Sequence, residues 1–393
     1  MNLNDFTGNG SEGDSQSSAL SECRRGRPLI ACFLPDLVCG GAERVTINLI
    51  REFVDRGISV DLVLSKAIGP LLAEVPAEVH IVDLHARRMQ TSILPLRRYL
   101  RSVKPDALLS ALDHTNLCAI LARRISGVRT RLVLAIHSVH KHIAKYDRSL
   151  KGRFQRTIGR YLYRWADSIV TVSHGVADST AEIMGIPRSR FHVIYNPVVG
   201  PELFAKAREP LDHPWFGSNQ PPVVLAVGNL LPWKEFGLLI KAFSLVRAEQ
   251  NVRLMILGEG SERHSLERTI RDLGLVEDVL LSGFVDNPYS YMSRSAVVAL
   301  SSHWEALPTV LIEALALGVP MVSTDCDFGP REILARGKYG KLVPVGDAEA
   351  LAAAIRSTLS EPRIVVPEEA IDVFRVERAS DEYLKVLLGD VHA

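Results

Sequence analysis

The chain has 393 residues, of which 47% are hydrophobic and 23% charged, so it is too long for one ordinary core and has the composition of a soluble globular enzyme. No run approaches the ~18 apolar residues that a membrane-spanning helix needs, and the N-terminus lacks an apolar signal core, so we expect a cytoplasmic protein with at most peripheral membrane contact. The five cysteines form no C-x-x-C pair and no Cys/His cluster, which is typical of reduced thiols and predicts no zinc site.

The net charge of +1 conceals an asymmetry between the two halves of the chain. Residues 1–200 carry 27 Lys or Arg and 18 Asp or Glu, which gives this half a charge of +9 and the remainder −8. A basic half favours anionic ligands or surfaces. Nucleic acid is one such anion, but no nucleic-acid recognition motif accompanies the charge, so we expect no nucleic-acid partner.

Residues 1–27, rich in Ser, Gly, Asn and Asp, are predicted to form a disordered tail. Residues 28–195 then alternate between short apolar runs and helical segments, which predicts an α/β domain with a doubly wound, Rossmann-like parallel sheet. The predicted strands are 29–34, 59–64, 79–82, 106–110, 131–136, 168–172 and 191–195, and the predicted helices are 42–55, 94–103, 116–125, 150–165 and 176–184.

Several candidate site residues of this domain follow predicted strands. Gly40 and Gly41 stand between the first strand and the first helix, where absent side chains let backbone amides approach a phosphate. His114 and His137 come after strands four and five, and Ser173-His174-Gly175 comes after strand six. Because parallel strands end at one edge of their sheet, all of them are expected at the same cleft, although a lone histidine is often structural.

A basic segment, residues 145–165, is predicted to be an amphipathic helix. One face carries Phe154, Ile158, Tyr161, Leu162 and Trp165, and another carries Arg153, Arg156, Arg160 and Arg164. This pattern favours contact with an anionic bilayer or with lipid phosphates, but the apolar face could instead pack on the sheet with the arginines in water. A second basic cluster favours the membrane interpretation; it comprises Arg87, Arg88, Arg97, Arg98 and Arg101.

Residues 196–222 contain six prolines, and this segment is predicted to pack little and to form the linker between two domains. A second cycle over residues 223–375 predicts another Rossmann-like domain, which faces the first across a cleft. Its predicted strands are 223–227, 253–257, 279–282, 296–300 and 321–324, and its predicted helices are 236–248, 261–273 and 309–317. A last amphipathic helix is predicted within residues 376–393.

Two carboxylates flank a helix start in the second domain. Glu305 precedes the predicted helix, Glu313 lies one turn inside it, and Pro308 suits its beginning. A helix N-terminus offers free N–H groups and the positive end of its dipole, so a diphosphate can lie over residues 306–309. The residues proposed to hold it are Leu307, Pro308 and Thr309. Either glutamate could instead be an ordinary helix-surface or helix-dipole residue.

Lys234 follows the predicted strand 223–227 and Gly228, so its ammonium projects from a strand end into the cleft. A fixed cation there stabilises a leaving group that gains negative charge. An isolated lysine is more often a solvated loop residue, but the pattern G-N-L-x-x-x-K favours a functional one.

Four motifs, in order along the chain, resemble those of a known family. They are PDLVCGGAERV (35–45), VGNLLPWKEF (227–236), LGEG (257–260) and EALPTVLIE (305–313). The seven residues between the two glutamates make the last motif similar to the E-x7-E signature of the retaining glycosyltransferases of family 4, which have the GT-B fold of two Rossmann-like domains facing across a cleft. The likeness covers almost all of the chain after the first two dozen residues.

The resemblance implies a role for each donor-site residue. Glu313 should accept hydrogen bonds from the ribose hydroxyls of a nucleotide sugar, Glu305 should contact the transferred sugar, and Lys234 should stabilise the leaving diphosphate. Asn229 stands where the family usually has Arg, and it lacks the bidentate cationic fork. Either Asn229 makes a neutral hydrogen bond, or Arg331 or Lys338 supplies a cation from elsewhere.

The remaining roles are also implied by the family. The loops at Gly258 and at Gly283 should lie near the nucleotide, with Phe284 at the base, although Phe284 could equally be a core residue. His137 is a better candidate than His114 to orient the acceptor hydroxyl or the transferred sugar. The closing helix should cross back to the first domain.

The implied reaction is transfer of a sugar from a nucleotide donor, with retention of configuration, to a growing glycan or polyprenyl-linked saccharide, without a metal ion or other cofactor. The segment CDFGPREIL (326–334) resembles that of members using UDP-activated sugars, so we expect UDP-GalNAc, UDP-GlcNAc or UDP-galactose, with GDP-mannose as the alternative. Paired carboxylates also serve glycosidases, which need no site for a diphosphate. Asn229 is also compatible with a catalytically silent subunit that binds a partner enzyme.

Overall fold

The computed structural model describes residues 27–38, 40–138 and 159–389. The predicted tail lies outside these ranges up to Gly26, and so does the predicted basic helix up to residue 158. The expectations for those residues remain predictions.

The first lobe is built, within the described ranges, on a sheet of seven parallel strands in the order β3-β2-β1-β4-β5-β6-β7. The strands are β1 (Leu29–Leu34), β2 (Ser59–Leu64), β3 (His80–Asp83), β4 (Ala107–Ala111), β5 (Arg131–Ile136), β6 (Ser168–Thr171) and β7 (Phe191–Val193). The helices around it are α1 (Gly41–Asp55), α2 (Ile93–Val103), α3 (Asp113–Ser126) and α4 (His174–Met184). The central strands β1, β4 and β5 are mostly apolar, with buried Ser110 in β4 as an exception, because both faces of the sheet are covered. The strand order reverses between β1 and β4, so a crevice opens at their carboxyl ends.

The second lobe repeats this plan with six parallel strands in the order β10-β9-β8-β11-β13-β15. They are β8 (Val223–Val227), β9 (Arg253–Leu257), β10 (Val279–Gly283), β11 (Val297–Leu300), β13 (Met321–Thr324) and β15 (Lys341–Val343), while β12 (Trp304–Glu305) pairs with β14 (Asp327–Phe328). The order reverses between β8 and β11, whose carboxyl ends lead to Gly228 and Glu305. The predicted fold of two Rossmann-like lobes is therefore confirmed.

Helices α5 to α13 belong to the second half of the chain. They are α5 (Pro201–Arg208), α6 (Phe236–Arg247), α7 (Arg263–Asp272), α8 (Pro288–Arg294), α9 (Thr309–Ala316), α10 (Gly329–Ile333), α11 (Ala348–Ser360), α12 (Glu368–Asp372) and α13 (Val376–Leu388). The last of these packs on the first lobe, where Tyr383, Leu384 and Leu387 share a core with Ile30 and Leu62 of the sheet.

The prediction that residues 196–222 pack little is wrong. Val199 is fully buried, and helix α5 places Leu203 and Ala207 against Tyr289 at the start of α8. Pro201 occupies the first turn of α5, where a missing N–H removes no helical hydrogen bond, so the proline content did not prevent a helix.

The end of the predicted basic helix also differs from expectation. Leu162 and Tyr163 are buried, whereas Tyr161 is 65% exposed and Trp165 44% exposed. Tyr161, Leu162 and Trp165 therefore do not share one buried face as predicted. Residues 163–165 form a 3-10 turn, whose period differs from that of an α-helix. Arg164 lies over the ring of Tyr161 and Arg124 over the ring of Trp165.

Candidate active site

A cavity of about 510 Å³ lies between the two lobes and collects most of the predicted site residues. The second lobe contributes Gly228, Asn229, Lys234, Gly258, Phe284, Glu305, Leu307, Pro308, Thr309 and Glu313, and the first contributes Gly40, Gly41 and His137. His114 and Gly283 are not among its lining residues. The cavity thus joins the carboxyl ends of both sheets, where open parallel sheets bind ligands.

Lys234 and Glu305 form an ion pair at the second-lobe wall. Nζ of Lys234 lies 2.6 Å from Oε1 of Glu305, and the Ser302 hydroxyl donates to the same oxygen at 2.7 Å. The lysine side chain is 19% exposed and the glutamate 12%, so water screens the pair poorly. An ammonium held in this way is preorganised for a developing negative charge.

The loops that carry these two residues are fastened to each other. The indole rings of Trp233 and Trp304 stack with centroids 5.2 Å apart and planes 16° apart. The Ser301 hydroxyl donates to the carbonyl oxygen of Lys234 at 2.8 Å, and the backbone N–H of His303 donates to that of Trp233 at 2.7 Å. The position of the ammonium therefore depends on two loops instead of one.

Helix α9 begins at the cavity, immediately after Pro308. The N–H of Leu311 in its first turn donates to the carbonyl oxygen of Pro308 at 3.1 Å. The N–H groups of Thr309 and Val310 come before it at the helix start, where an anion can accept from them. Gly329, at the start of α10, packs directly under this turn, since a Cβ at Gly329 would lie 2.6 Å from Cδ of Pro308 and 2.7 Å from Cα of Leu307.

Glu313 is not a surface residue. Its side chain is only 8% exposed, and burial raises the pKa of its carboxyl to about 7, against the opposing effects of the Arg44 charge and a hydrogen bond with Tyr289. The helix-surface alternative for this glutamate is therefore wrong. A buried carboxyl with spare hydrogen-bonding capacity facing a cavity is suited to bind ligand hydroxyls.

The two candidate histidines have different positions. His137 lines the cavity, and burial lowers its pKa to about 4 despite the nearby Asp113, so the imidazole is neutral near pH 7 and can donate or accept a hydrogen bond. His114 is exposed in the first turn of α3, which begins at Asp113 and not at residue 116 as predicted. The structure thus keeps His137 with the site and separates His114 from it.

The glycine loops of the second lobe lie against one another. Gly258 has φ of +139°, and a Cβ there would overlap the carbonyl oxygen of Gly228. The N–H of Gly258 donates to the carbonyl oxygen of Gly283 at 2.8 Å, so Gly283 supports the cavity wall from behind. Phe284 is 60% exposed and lines the cavity, which excludes the core alternative for this residue.

Neither cation proposed to compensate for Asn229 lies at the cavity. Arg331 pairs with Asp325, and the Lys338 ammonium lies 5.1 Å from the centre of the Tyr339 ring. The cavity instead receives Arg44 from helix α1 of the first lobe, a residue that the sequence analysis did not single out. The signal was present in the A-E-R that follows Gly40-Gly41, because residues in the first turn of a helix lie near its N-terminal glycines.

Glu43 belongs to the same A-E-R segment. Its carboxylate folds back over Gly40, at the N-terminus of α1, and it lines the cavity. Burial raises its pKa above the ordinary value for a glutamate. The amides at Gly40 and Gly41, expected to approach a phosphate, thus have an acidic side chain beside them.

The segment Ser173-His174-Gly175 meets the second lobe but outside this cavity. His174 and Gly175 line a separate interlobe cavity of about 660 Å³, together with Arg331 and Glu332. None of the three residues lines the cavity of the other candidates, so the prediction that this segment shares their cleft is wrong. Ser173 instead contacts the second lobe directly, by a hydrogen bond to Ala306.

Two family models match the chain. The model described as Glycosyltransferase Family 4 matches residues 39–199, and the model described as Glycosyl transferases group 1 matches residues 210–370. The chain belongs to glycosyltransferase family 4. It is therefore a glycosyltransferase with the GT-B fold, which excludes the glycosidase alternative.

Two bacterial glycosyltransferases are similar to this chain over nearly their whole length. It is 28% identical over 382 residues to the N-acetylgalactosamine-N,N'-diacetylbacillosaminyl-diphospho-undecaprenol 4-alpha-N-acetylgalactosaminyltransferase of Campylobacter jejuni, with 92% of this chain and 99% of the relative covered. It is 27% identical over 364 residues to the lipopolysaccharide core biosynthesis glycosyltransferase LpsE of Rhizobium meliloti, with 88% and 96% covered.

Among solved structures, that of Anabaena HepE in complex with UDP and glucose superposes with a TM-score of 0.73 at 21% identity, covering 91% of this chain and 98% of HepE. The lipopolysaccharide outer core galactosyltransferase WaaB superposes with a TM-score of 0.69 at 20% identity, covering 92% and 100%. At these identities the likeness shows the fold. No helix of this glycosyltransferase, within the described ranges, is long and apolar enough to cross a bilayer.

Proposed function

We propose that this glycosyltransferase moves a hexose or N-acetylhexosamine from a UDP-sugar, with retention of configuration, to a glycan or polyprenyl-linked saccharide in cell-surface polysaccharide biosynthesis. The observation that carries the proposal is the Lys234–Glu305 ion pair beside the start of helix α9, in the cavity between the lobes. A fixed ammonium, free helical N–H groups and a carboxylate beside one another suit a sugar diphosphate, which has anionic oxygens at one end and hydroxyls at the other.

The proposed reaction is a displacement on one face of the sugar. The bond between C1 and the β-phosphate oxygen breaks, a bond from the acceptor oxygen to C1 forms, and the acceptor proton passes to an oxygen of the departing UDP. Lys234 and the N–H groups at Leu307 and Thr309 stabilise the charge that develops on the diphosphate, more strongly in the transition state than in the ground state. No protein nucleophile is required.

Glu305 and Glu313 are proposed to bind hydroxyls at either side of the diphosphate. Glu305 accepts from the transferred sugar with the oxygen that Lys234 and Ser302 leave free. Glu313 accepts from the ribose, for which its burial is suited, because hydrogen bonds are strong in a poorly solvated site. Neutral His137 orients the acceptor hydroxyl or the transferred sugar from the first lobe.

Uracil is the proposed base of the donor nucleotide. The segment 326–334 supports it by its likeness to members that use UDP-sugars, and the HepE complex, which contains UDP, supports it by its shared fold. The relative from C. jejuni is named as an N-acetylgalactosaminyltransferase that acts on a diphospho-undecaprenol saccharide, which supports a hexosamine donor and a lipid-linked acceptor here. GDP-mannose is the alternative donor.

The proposed acceptor lies on the cytoplasmic face of a membrane. Exposed Tyr161 and Trp165, each with an arginine over its ring, support peripheral contact with anionic lipid, because Tyr and Trp rings suit the headgroup region and arginines attract phosphates. Leu94, which is 56% exposed, lies on helix α2 with Arg97, Arg98 and Arg101.

A donor panel tests the proposal. The purified protein is incubated with UDP-GalNAc, UDP-GlcNAc, UDP-galactose and GDP-mannose, with and without a membrane extract as acceptor source, and released nucleotide is measured. Release of UDP from one donor supports the proposal, and release of GDP alone favours the mannosyl alternative. Absence of nucleotide binding, hydrolysis and transfer would favour the catalytically silent subunit, which Asn229 first suggested.

A further inference from the structure

Two side chains of the first lobe donate hydrogen bonds to the turn of the second lobe from which helix α9 begins. The hydroxyl of Ser173 donates to the carbonyl oxygen of Ala306 at 3.1 Å, and the carboxamide nitrogen of Asn196 donates to that of Leu307 at 3.4 Å. Ser173 has no exposed surface and Asn196 is 6% exposed, so water does not compete for these bonds. The first lobe therefore touches, through buried donors, the turn that is proposed to receive the diphosphate.

The direction of the Ser173 hydroxyl is fixed by its other bond. Ser173 caps helix α4, since its Oγ accepts from the backbone N–H of Val176 at 3.2 Å. A hydroxyl has one hydrogen to donate, and the cap uses a lone pair, so the hydrogen is directed to Ala306. The same residue thus completes a helix in one lobe and holds a carbonyl in the other.

Holding that carbonyl also orients an N–H group. The carbonyl of Ala306 and the N–H of Leu307 belong to one peptide unit, which is planar and trans, so the two groups point in opposite directions. With its oxygen directed to the first lobe, the unit turns the N–H of Leu307 away from Ser173. Rotation of the same unit would present a carbonyl oxygen where an anion is to bind, and the two would repel each other.

Gly329 of the second lobe also contacts this turn, since a Cβ there would lie 2.6 Å from Cδ of Pro308 and 2.9 Å from the oxygen of Ala306. This steric contact limits the position of the turn, whereas the two first-lobe donors attract its carbonyl oxygens. The next peptide unit has no N–H, because it ends at Pro308, so Asn196 restrains only its carbonyl. The two first-lobe donors are thus directed at the two carbonyls of the turn.

We propose that Ser173 and Asn196 are positioning residues, which hold the turn of residues 306–308 in its anion-binding orientation when the lobes are together. The inference rests on the proposed function, since the anion is the diphosphate of the donor. It makes the diphosphate site a product of lobe contact, and not a property of the second lobe alone.

The test compares two ligands that differ only in the diphosphate. Affinities for UDP are measured by titration calorimetry and for uridine by ligand-observed NMR, with the full-length protein and its Ser173→Ala and Asn196→Ala variants. We expect Ser173→Ala to lower the affinity for UDP about tenfold and the affinity for uridine by less than about twofold. The lost N–H orientation affects only the binding of the phosphates. Asn196→Ala should act in the same sense but less strongly, because its bond is longer.

A matched control separates positioning from the loss of a helix cap. Asp347 caps α11 through a bond of 2.8 Å from the N–H of Ala350, and it does not line the cavity. Asp347→Ala should lower the thermal unfolding midpoint as Ser173→Ala does, and should leave UDP affinity unchanged. The inference is overturned if Ser173→Ala lowers the affinities for UDP and uridine equally. It is also overturned if both first-lobe variants keep the UDP affinity of the unaltered protein. If the unaltered protein bound neither ligand, the proposed donor class would fall, and the inference with it.

Discussion

Arg44 of the first lobe and Glu313 of the second line the same cavity, and the arginine charge opposes the burial that raises the pKa of Glu313. Burial is the larger effect, so the pKa of this carboxyl is about 7. The arginine also enters the cavity from the lobe opposite Asn229, where the family usually has a cation. The charged residues of this site thus come from both lobes, and the protonation of Glu313 depends on a first-lobe arginine.

The raised pKa predicts that UDP binding depends on pH. Ribose hydroxyls donate more strongly to a carboxylate than to a protonated carboxyl, so UDP affinity should rise between about pH 6 and about pH 8 and then level off. Titration calorimetry at a series of pH values measures this. The Glu313→Gln variant is the control, because it removes the contribution of this carboxyl and keeps those of the other groups, among them the phosphate, whose own pKa is about 6. Parallel profiles of the two proteins would contradict the assignment of Glu313.

The same group predicts a pH dependence of stability without ligand. The folded pKa of Glu313, about 7, lies above the value of 4.5 for an unperturbed glutamate. The unfolded chain therefore loses this proton first, and stability falls as the pH rises through that interval, by about 1.4 kcal/mol for each pKa unit. Glu313→Gln cannot ionise, so urea unfolding should show the variant gaining stability over the unaltered protein from about pH 5 to about pH 8. A constant difference across that range would contradict the shift.

The Lys234–Glu305 ion pair predicts that substituting either residue lowers turnover without unfolding the protein. Lys234→Ala should lower kcat about 10²- to 10³-fold, as expected for removing a preorganised group that stabilises transition-state charge, and Glu305→Ala should also lower it strongly. UDP release from the active donor measures both. Lys241→Ala is the matched control, because Lys241 is an exposed lysine of helix α6 outside the cavity. If both site variants retained the turnover of this control, the assignment of Lys234 and Glu305 to the active site would be contradicted.

The parts of this molecule that could be predicted from sequence are those encoded over short stretches. Apolar runs predict the strands of both sheets, and strand ends predict Lys234 and Glu305, because parallel strands finish at one edge. His114 shows the limit of that argument, since α3 begins so soon after β4 that the histidine lies in an exposed helical turn. A strand end indicates an edge of the sheet but not the direction of a side chain.

The effect of the Arg44 charge on Glu313 and the role of Ser173 could not be predicted, because both depend on how the lobes meet. No periodicity relates positions 44 and 313, and neither residue type is unusual in its own segment. The linker was misjudged because its prolines describe only the local backbone, whereas Leu203 and Ala207 are buried against Tyr289 of helix α8, which follows more than eighty residues later (289 − 207 = 82). The site residues that lie outside the motifs are positioned by contacts between segments that are distant in sequence.

Glu332 of the second lobe is hydrogen-bonded to the first lobe, so we expect it to help hold the two lobes together. Its carboxylate accepts hydrogen bonds from the N–H groups of His174 and Gly175 at 3.1 and 2.9 Å, and from the hydroxyl of Tyr195 at 3.1 Å. The two backbone donors are at the N-terminus of α4, where the helix dipole also favours a negative charge. A single second-lobe side chain thus takes three donors of the first lobe.

Glu332→Ala should therefore shift the protein towards a more open arrangement of the lobes, seen in solution scattering as a larger radius of gyration without ligand. Gly175→Ala should act in the same direction by a different route, because a Cβ at Gly175 would overlap the ring of Phe328. The control is Glu361→Ala, which removes an exposed ion pair with Lys341 inside the second lobe, 2.7 Å long, and should leave the dimensions unchanged. Because the turn at residues 306–308 also depends on lobe contact, both variants that open the lobes should bind UDP more weakly than the control. Unchanged scattering in both would mean that other contacts hold the lobes, and that Glu332 serves only as a cap for α4.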